Sequence, residues 1–326
     1  MGLVREYEEV AQRLAAANDV LVITHLRPDA DAIGSATALV MGLNRIGVKA
    51  RAVIGQKREI SENLLSIPGA TDIELVDALP QGHDLYVSVD CGSIDRTGSV
   101  AEQLEKVAAQ GDLVVIDHHD SNPGFGSINL IDVDCESTTA VLDVLLNMLS
   151  VPGDKDIAHC LYAGLVTDTG SFRWGRPEMH DFAARLMHYG LDTKKIAEDL
   201  LDSTTVEDVR MLGRVLANVR VIPAGKHTAA VLIAPYEEIV GHADSAVEFL
   251  VEFVRAMKGT DVGVVFKGQA PGQWATSLRS STMDCSELAV RFGGGGHIPA
   301  AGYTTYGEPE EIVTELITEL GRMGQQ

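Results

Sequence analysis

No apolar run in the chain approaches the ~20 residues needed to span a bilayer. The opening stretch, MGLVREYEEVAQRLAAAND, reads as an amphipathic, charged helix and lacks the apolar centre of a signal peptide. Gly2 follows Met1, but Tyr7 and the acids around it suit a myristoylation site poorly. Cysteine is scarce. Cys91, Cys135, Cys160 and Cys285 lie far apart with no C-x-x-C pair, which excludes a disulfide framework and a cysteine zinc site and fits reduced thiols in the cytoplasm. Positive charge is also in deficit: 26 Lys and Arg face 47 Asp and Glu, a net charge of −21. Binding to long or duplex nucleic acid rests on many basic contacts to phosphate, so that class of partner is disfavoured, as is a membrane surface. A short anionic ligand held in one local pocket is still allowed, and bound cations would offset part of the acidity. There is no low-complexity tract, no internal repeat, no G-x-S-x-G elbow and no Walker motif.

What is present is an ordinary globular composition, 45% hydrophobic over 326 residues, enough for roughly two domains. The first 180 residues or so alternate between strand and helix periods. DVLVITH (19–25), VKARAVIG (48–55), DLYVSVD (84–90) and DLVVID (112–117) read as strands. The segments 31–47, 98–110, 137–150 and 156–170 read as helices, with a short one at ISENLLSIPG. This alternation predicts an α/β fold with a doubly wound, mostly parallel sheet. From Pro177 to about Val219 the pattern is helical and charged. A second, smaller α/β unit follows, with strands at 227–234, 261–268 and 273–280 and helices at 244–257, 284–292 and 308–323. The expected organisation is a first domain at 1–189, a helical linker at 190–219 and a second domain at 220–326.

Three of the four clear strands of the first domain end on the same kind of residue. The first runs into His25, Asp29 and Asp31; the third ends at Asp90; the fourth, in LVVIDHHDSN, ends at Asp117, His118 and His119. In an open parallel sheet all carboxyl ends lie at one edge, where ligands bind. Each residue alone has a plain reading: Asp31 as a helix N-cap, Asp90 as a turn residue, a histidine as a structural one. All of those readings must hold at one sheet edge, and carboxylates crowded there raise one another's pKa unless a cation sits among them. A mixed His and Asp set suits Mn²⁺, and Mg²⁺ or Zn²⁺ less well.

His25-x3-Asp29-x-Asp31, the strand-end Asp90, Asp117-His118-His119, and Asp168 in LVTDTGSF resemble the motifs of the DHH phosphoesterase family in order and spacing. FGGGGHIPAAG (292–302) resembles the Gly-Gly-Gly-His signature of the DHH-associated C-terminal domain. Within the family, the layout is most similar to bacterial bifunctional oligoribonucleases and pAp phosphatases, a group whose actinobacterial relatives also cleave cyclic dinucleotides. The resemblance implies two manganese ions, with Mg²⁺ or Co²⁺ as substitutes. It assigns one ion to His25, Asp29 and Asp90 and the other to Asp31, Asp90, His118 and Asp168, with Asp90 shared. Asp117 would stand behind the ligands and orient an imidazole, and His119 would face the scissile phosphate as a donor. Two such ions, roughly 3.5–4 Å apart, would activate a shared water and clamp phosphoryl oxygens.

In the second domain the resemblance assigns substrate contacts to Ser277, Arg279, Gly294, Gly295, Gly296 and His297. The glycines are expected in a turn whose N–H groups cradle an anion. RWGRPE after Phe172 takes the place of a more polar stretch expected in the family, so no substrate contact is carried over there. The implied activity is Mn²⁺-dependent hydrolysis of short nucleotides: nanoRNA, pApA or cyclic dinucleotides, and 3′-phosphoadenosine 5′-phosphate. The protein is expected to act in the cytoplasm and to be a possible homodimer. The alternatives are an inorganic pyrophosphatase of the same superfamily, a RecJ-like single-strand exonuclease and a non-catalytic nucleotide sensor. The pyrophosphatase would want a dense basic cluster where the sequence offers Arg279 and Lys267.

Overall fold

The computed structural model describes residues 2–202 and 204–323. It divides into two compact units, Met1–Ser203 and Thr204–Gln326. Among the described residues, no helix is long and apolar enough to cross a membrane.

The first unit contains α1 (Gly2–Ala16), β1 (Asp19–Thr24), α2 (Ala30–Arg45), β2 (Lys49–Ile54), β3 (Glu74–Leu75), β4 (Leu85–Val89), α3 (Ala101–Gln110), β5 (Leu113–Asp117), β6 (Ile128–Ile131), α4 (Thr138–Met148), α5 (Lys155–Asp168), α6 (Glu178–Met187) and α7 (Thr193–Leu201). Its six strands lie in the order β3-β2-β1-β4-β5-β6, and every pairing is parallel. Both faces are covered, which explains why β4 and β5 are buried throughout. The period of two is plain in β1: Val20 and Val22 pack with Val10, Leu14, Leu39 and Leu43 from α1 and α2, while Leu21 and Ile23 pack with Leu104 and Val107 of α3 on the other face. ISENLLSIPG forms a 3₁₀ turn over Glu62–Ser66.

The second unit contains α8 (Val206–Leu216), β7 (Arg220–Ala224), β8 (His227–Ala234), α9 (Tyr236–Ile239), α10 (Asp244–Arg255), β9 (Val262–Ala270), β10 (Gln273–Arg279), α11 (Cys285–Arg291), β11 (Gly295–His297), β12 (Ala300–Tyr306) and α12 (Pro309–Met323). The sheet order is β11-β12-β10-β9-β8-β7. Only β8–β9 is parallel; the remaining pairs are antiparallel. One face packs on α11 and α12 through Val264, Phe266, Leu278, Leu288 and Leu316. The other packs on α8 and α10 through Leu232, Val265, Met211 and Leu250.

The helical stretch 190–219 is shared between the units. Ile196 and Leu200 of α7 belong to the first core, and Met211, Leu212 and Val215 of α8 to the second. The four cysteines are free thiols, and burial pushes each up to about 12.

Candidate active site

β1, β4 and β5 are neighbours, so their carboxyl ends lie side by side. His25 follows β1, Asp90 follows β4, and Asp117 ends β5 just ahead of His118 and His119. Asp29 and Asp31 come from the start of α2, and Asp168 from the last residue of α5. The structure gathers all of them. One donor atom each from His25, Asp29 and Asp90 lies within 4.8 Å of the others, and the same holds for Asp31, His118 and Asp168, and for Asp90, Asp117 and His119.

Asp90 is the pivot. Its Oδ2 lies 3.6 Å from His25 Nε2, and its Oδ1 lies 3.7 Å from His118 Nε2. Its backbone is left-handed, at φ 58°, a conformation Asp tolerates better than most residues with a Cβ. The N–H of Asp90 still donates to Ile116 O at 3.1 Å, which ties the turn to β5.

The N-cap of α2 is Asp29, whose Oδ1 accepts from the N–H groups of Asp31 and Ala32. Asp31 is therefore not the cap. Its carboxylate turns inward, is fully buried, and accepts from Thr138 N–H at 2.7 Å, Thr139 N–H at 3.0 Å and Thr139 Oγ1 at 2.8 Å. Thr138 Oγ1 donates to Asp90 Oδ1 at 2.9 Å. The start of α4 thus braces both carboxylates. Gly164 of α5 makes room for Asp31: a Cβ there would stand 2.3 Å from Asp31 Oδ1. Gly34 does the same across the α2–α5 seam, where a Cβ would meet Cys160 O at 2.4 Å. Thr138, Thr139 and Gly164 were not singled out in the sequence. Their one signal is the Ser-Thr-Thr opening of α4.

Asp117 serves a different purpose. Its Oδ1 lies 2.7 Å from His119 Nδ1 and also accepts from His118 N–H. Its Oδ2 accepts from Gly92 N–H and from Asn122 Nδ2. Burial alone would raise its pKa, but the bonds from His119 and Asn122 hold it well below the usual carboxylate range. The imidazole it orients is that of His119.

At Asp31, Asp90 and Asp168 the hydrogen bonds do not outweigh burial and the neighbouring carboxylates. Among the described residues no lysine or arginine pairs with Asp31, Asp90 or Asp168. Burial first, then the charge of Asp168, pushes Asp31 up to about 7. Burial and the charges of Asp31 and Asp29 raise Asp90 well above its ordinary value. Asp168 is raised by burial against the pull of His118, 3.3 Å away. His118 itself is lifted to about 9: burial opposes its charge, but contact with Asp168 outweighs that. Crowded in this way, the carboxylates and His118 hold protons that a bound cation would displace. Burial and Arg96 lower His25 to about 4, which keeps it neutral, as a metal ligand must be. His25 Nδ1 lies 2.8 Å from Leu26 O and 2.9 Å from Arg96 Nη2. A proton on Nδ1 would satisfy the Leu26 carbonyl and turn the Nε2 lone pair toward Asp29 and Asp90, whereas a bare Nδ1 would accept from Arg96 and place the N–H at Nε2. Carboxylates and imidazoles gathered at this spacing fit a hard or borderline divalent cation.

In the second unit, Ser277 pairs across the strands with Gly302 and Arg279 with Ala300, while Gly295 pairs with Gly302 and His297 with Ala300. Residues directly opposite share a face, so Ser277, Arg279, Gly295 and His297 line the same face of this sheet. Ser277 accepts from Lys267 Nζ at 2.8 Å. The Gly run is not the expected turn. Gly293, at φ 76°, turns the chain, and Gly295–His297 is a strand in which Gly296 keeps a positive φ of 140°. A Cβ on Gly294 would stand 2.1 Å from Gly302 O, and one on Gly296 2.6 Å from Ala300 O. Close approach of β11 to β12 demands glycine there.

The model of the DHH family, N-terminal domain, matches residues 19–165. The Thermus thermophilus bifunctional oligoribonuclease and PAP phosphatase NrnA is 29% identical over 316 residues, covering 94% of this chain and 90% of that protein. The Bacillus subtilis protein of the same name is 23% identical, covering 95% and 97%. Among solved structures, an exopolyphosphatase-related protein from Bacteroides fragilis superposes with a TM-score of 0.82 at 22% identity, covering 99% and 98%. Exonuclease RecJ bound to manganese shares the fold at a TM-score of 0.51 and 16% identity, covering 100% and 95%. Residues 19–165, which carry every one of these metal-type residues but Asp168, thus form a DHH family, N-terminal domain.

Proposed function

We propose that this protein is a Mn²⁺-dependent phosphoesterase that hydrolyses short nucleotides, namely nanoRNA, dinucleotides such as pApA or cyclic dinucleotides, and 3′-phosphoadenosine 5′-phosphate. The observation that carries the reading is the convergence of His25, Asp29 and Asp90, and of Asp31, His118 and Asp168, in two groups whose donor atoms lie within 4.8 Å of one another. His25, Asp29 and Asp90 would hold one ion, and Asp31, Asp90, His118 and Asp168 the other. Bound there, the ions would supply an activated water and charge stabilisation for the phosphoryl oxygens.

The chain's own residues do the rest. Asp117 fixes the His119 ring by accepting its Nδ1–H, so that Nε2, when protonated, donates to a phosphate or leaving oxygen. Thr138 and Thr139 keep Asp31 and Asp90 aimed inward. Arg279, Ser277 and His297, on one face of the second sheet beside Gly294, Gly295 and Gly296, would grip the nucleotide. The kinship with proteins named oligoribonuclease and PAP phosphatase supports this substrate class.

The test is a competition panel of 3′-phosphoadenosine 5′-phosphate, pApA, a cyclic dinucleotide and a twenty-nucleotide strand, run on EDTA-treated protein with and without Mn²⁺. We expect turnover only with metal, with kcat/KM highest for mono- to tetranucleotides and falling beyond about ten nucleotides at low salt, because an acidic surface gives a long strand little to hold. Equal processing of the twenty-nucleotide strand and the dinucleotide would overturn the length preference; activity after thorough chelation would overturn the metal dependence.

A further inference from the structure

Asp168 ends α5, and the chain beyond it takes an uncommon path. Gly170, Ser171 and Phe172 are all left-handed, at φ 54°, 61° and 63°. That region is routine for glycine and strongly disfavoured for a bulky residue such as Phe. The turn is held by Ser171 N–H to Val166 O at 2.7 Å, Phe172 N–H to Thr169 Oγ1 at 3.1 Å and Arg173 N–H to Thr169 O at 2.9 Å. Phe172 packs inward near Tyr162 and His180. Trp174 is folded back over Gly170, where a Cβ would stand 2.1 Å from the indole. Its Nε1–H donates to the backbone carbonyl of Asp168 at 2.6 Å. The Arg173 guanidinium lies 5.0 Å from the ring centroid. Trp174 as a whole nevertheless stays 39% exposed.

A strained turn with this outcome needs a reason beyond packing, since Phe172 already supplies the inward contact. It presents a large, rigid aromatic surface, pinned by its own N–H, six residues past a member of the acidic cluster and bonded to that residue's carbonyl. Such a surface is what a nucleobase stacks on, with arginine adding a cation–π contribution. We propose that Trp174, flanked by Arg173, is the stacking platform for the substrate's nucleobase and so sets the preference for nucleotides over base-free phosphoesters. This deepens the nucleotide reading above and rests on it.

Two measurements test it. The chain has two tryptophans, and the other, Trp274, is buried in the second unit. In Trp274→Phe, emission comes from Trp174 alone; AMP is expected to quench it and ribose 5-phosphate is not. Equal quenching by both, or none by AMP, would overturn the proposal. In steady state, Trp174→Ala is expected to lower the ratio of kcat/KM for pApA to that for its abasic analogue by about tenfold or more, as loss of base–aromatic stacking does. Trp174→Phe, which keeps a ring but no N–H, is expected to retain most of that ratio. A ratio unchanged in Trp174→Ala refutes the stacking role while leaving the activity intact, whereas failure of the wild type to hydrolyse pApA refutes the activity reading itself.

Discussion

The two edges of the first sheet use the same residue types in opposite ways. At the amino edge, Asp19 lies 2.6 Å from His83 Nδ1 and 2.5 Å from Lys49 Nζ. Asp84 accepts from the N–H groups of Asn18 and Asp19 at 2.9 and 2.8 Å. Each carboxylate meets a donor, and both sit below the usual range, Asp19 chiefly through Lys49 and Asp84 because the N–H groups outweigh burial. At the carboxyl edge, Asp31, Asp90 and Asp168 face one another and imidazoles, and all three are raised. Where carboxylates only hold a strand end, each gets a partner. Where they crowd one another, the cluster is a candidate site for a cation.

The sharpest way to break this contrast is Asp90→Asn. It should abolish turnover, well beyond the ~10–100-fold that outer partners cost, and yet raise the melting temperature of the metal-free protein by removing a carboxylate that burial forces to take up a proton. Turnover near wild type, or a lower apo Tm, would undo the assignment. Gly164→Ala and Thr138→Val disturb Asp31 and Asp90 from behind, so Mn²⁺ affinity by calorimetry should fall roughly 10–100-fold; unchanged affinity would mean the brace is idle. Arg279→Ala and His297→Ala fall in the second unit. They should raise KM for nucleotides several-fold, about tenfold at most, while sparing kcat on a generic phosphodiester. A kcat loss as complete as that of Asp90→Asn would reverse the roles of the two units.

The edges also differ in the sign of their pH dependence. Asp31 at about 7 and His118 at about 9 hold protons that the unfolded chain would release near 3.9 and 6.5. These two groups make the metal-free folded state bind more protons than the unfolded one between roughly pH 4 and 9; His25, held at about 4, opposes them below about 6.5, so the fall in Tm should be clearest from about pH 6.5 to 9. Asp19, held low, loses its contribution only as pH falls through its folded pKa, below about 4. A Tm series after EDTA treatment should show the alkaline decline, and Mn²⁺ should flatten it; a metal-free Tm that climbs from about pH 6.5 to 9 would contradict the crowding. The smallest effect is Asp19→Asn, expected to cost about 1 kcal/mol of stability and leave activity unchanged.

The elements that place the cluster were legible because β1, β4 and β5 are short apolar runs ending in chemistry. Others were not. β11 is mostly glycine, which carries no strand propensity, and it is a strand only because β12 comes too close for a Cβ. β7 holds Pro223, tolerated because this strand is at the sheet's edge. β3 and β6 are too short to show a period. The identities of the cluster residues could be read from strand ends, but the bracing by Thr138 and the space left by Gly164 could not. Those depend on how α4 and α5 meet α2, and no spacing along the chain encodes that.

Cys91 follows the pivotal Asp90 directly, and its sulfur is buried with a thiol pushed up to about 12. The other three thiols are raised to the same level. At neutral pH almost none of this sulfur is thiolate, the form that alkylating agents and peroxide attack. The centre is therefore insulated from the thiol redox state of its surroundings, although a cysteine adjoins its most important carboxylate. For the experimenter the four native cysteines form a silent background, and a single engineered surface cysteine can carry a spectroscopic label without first removing them.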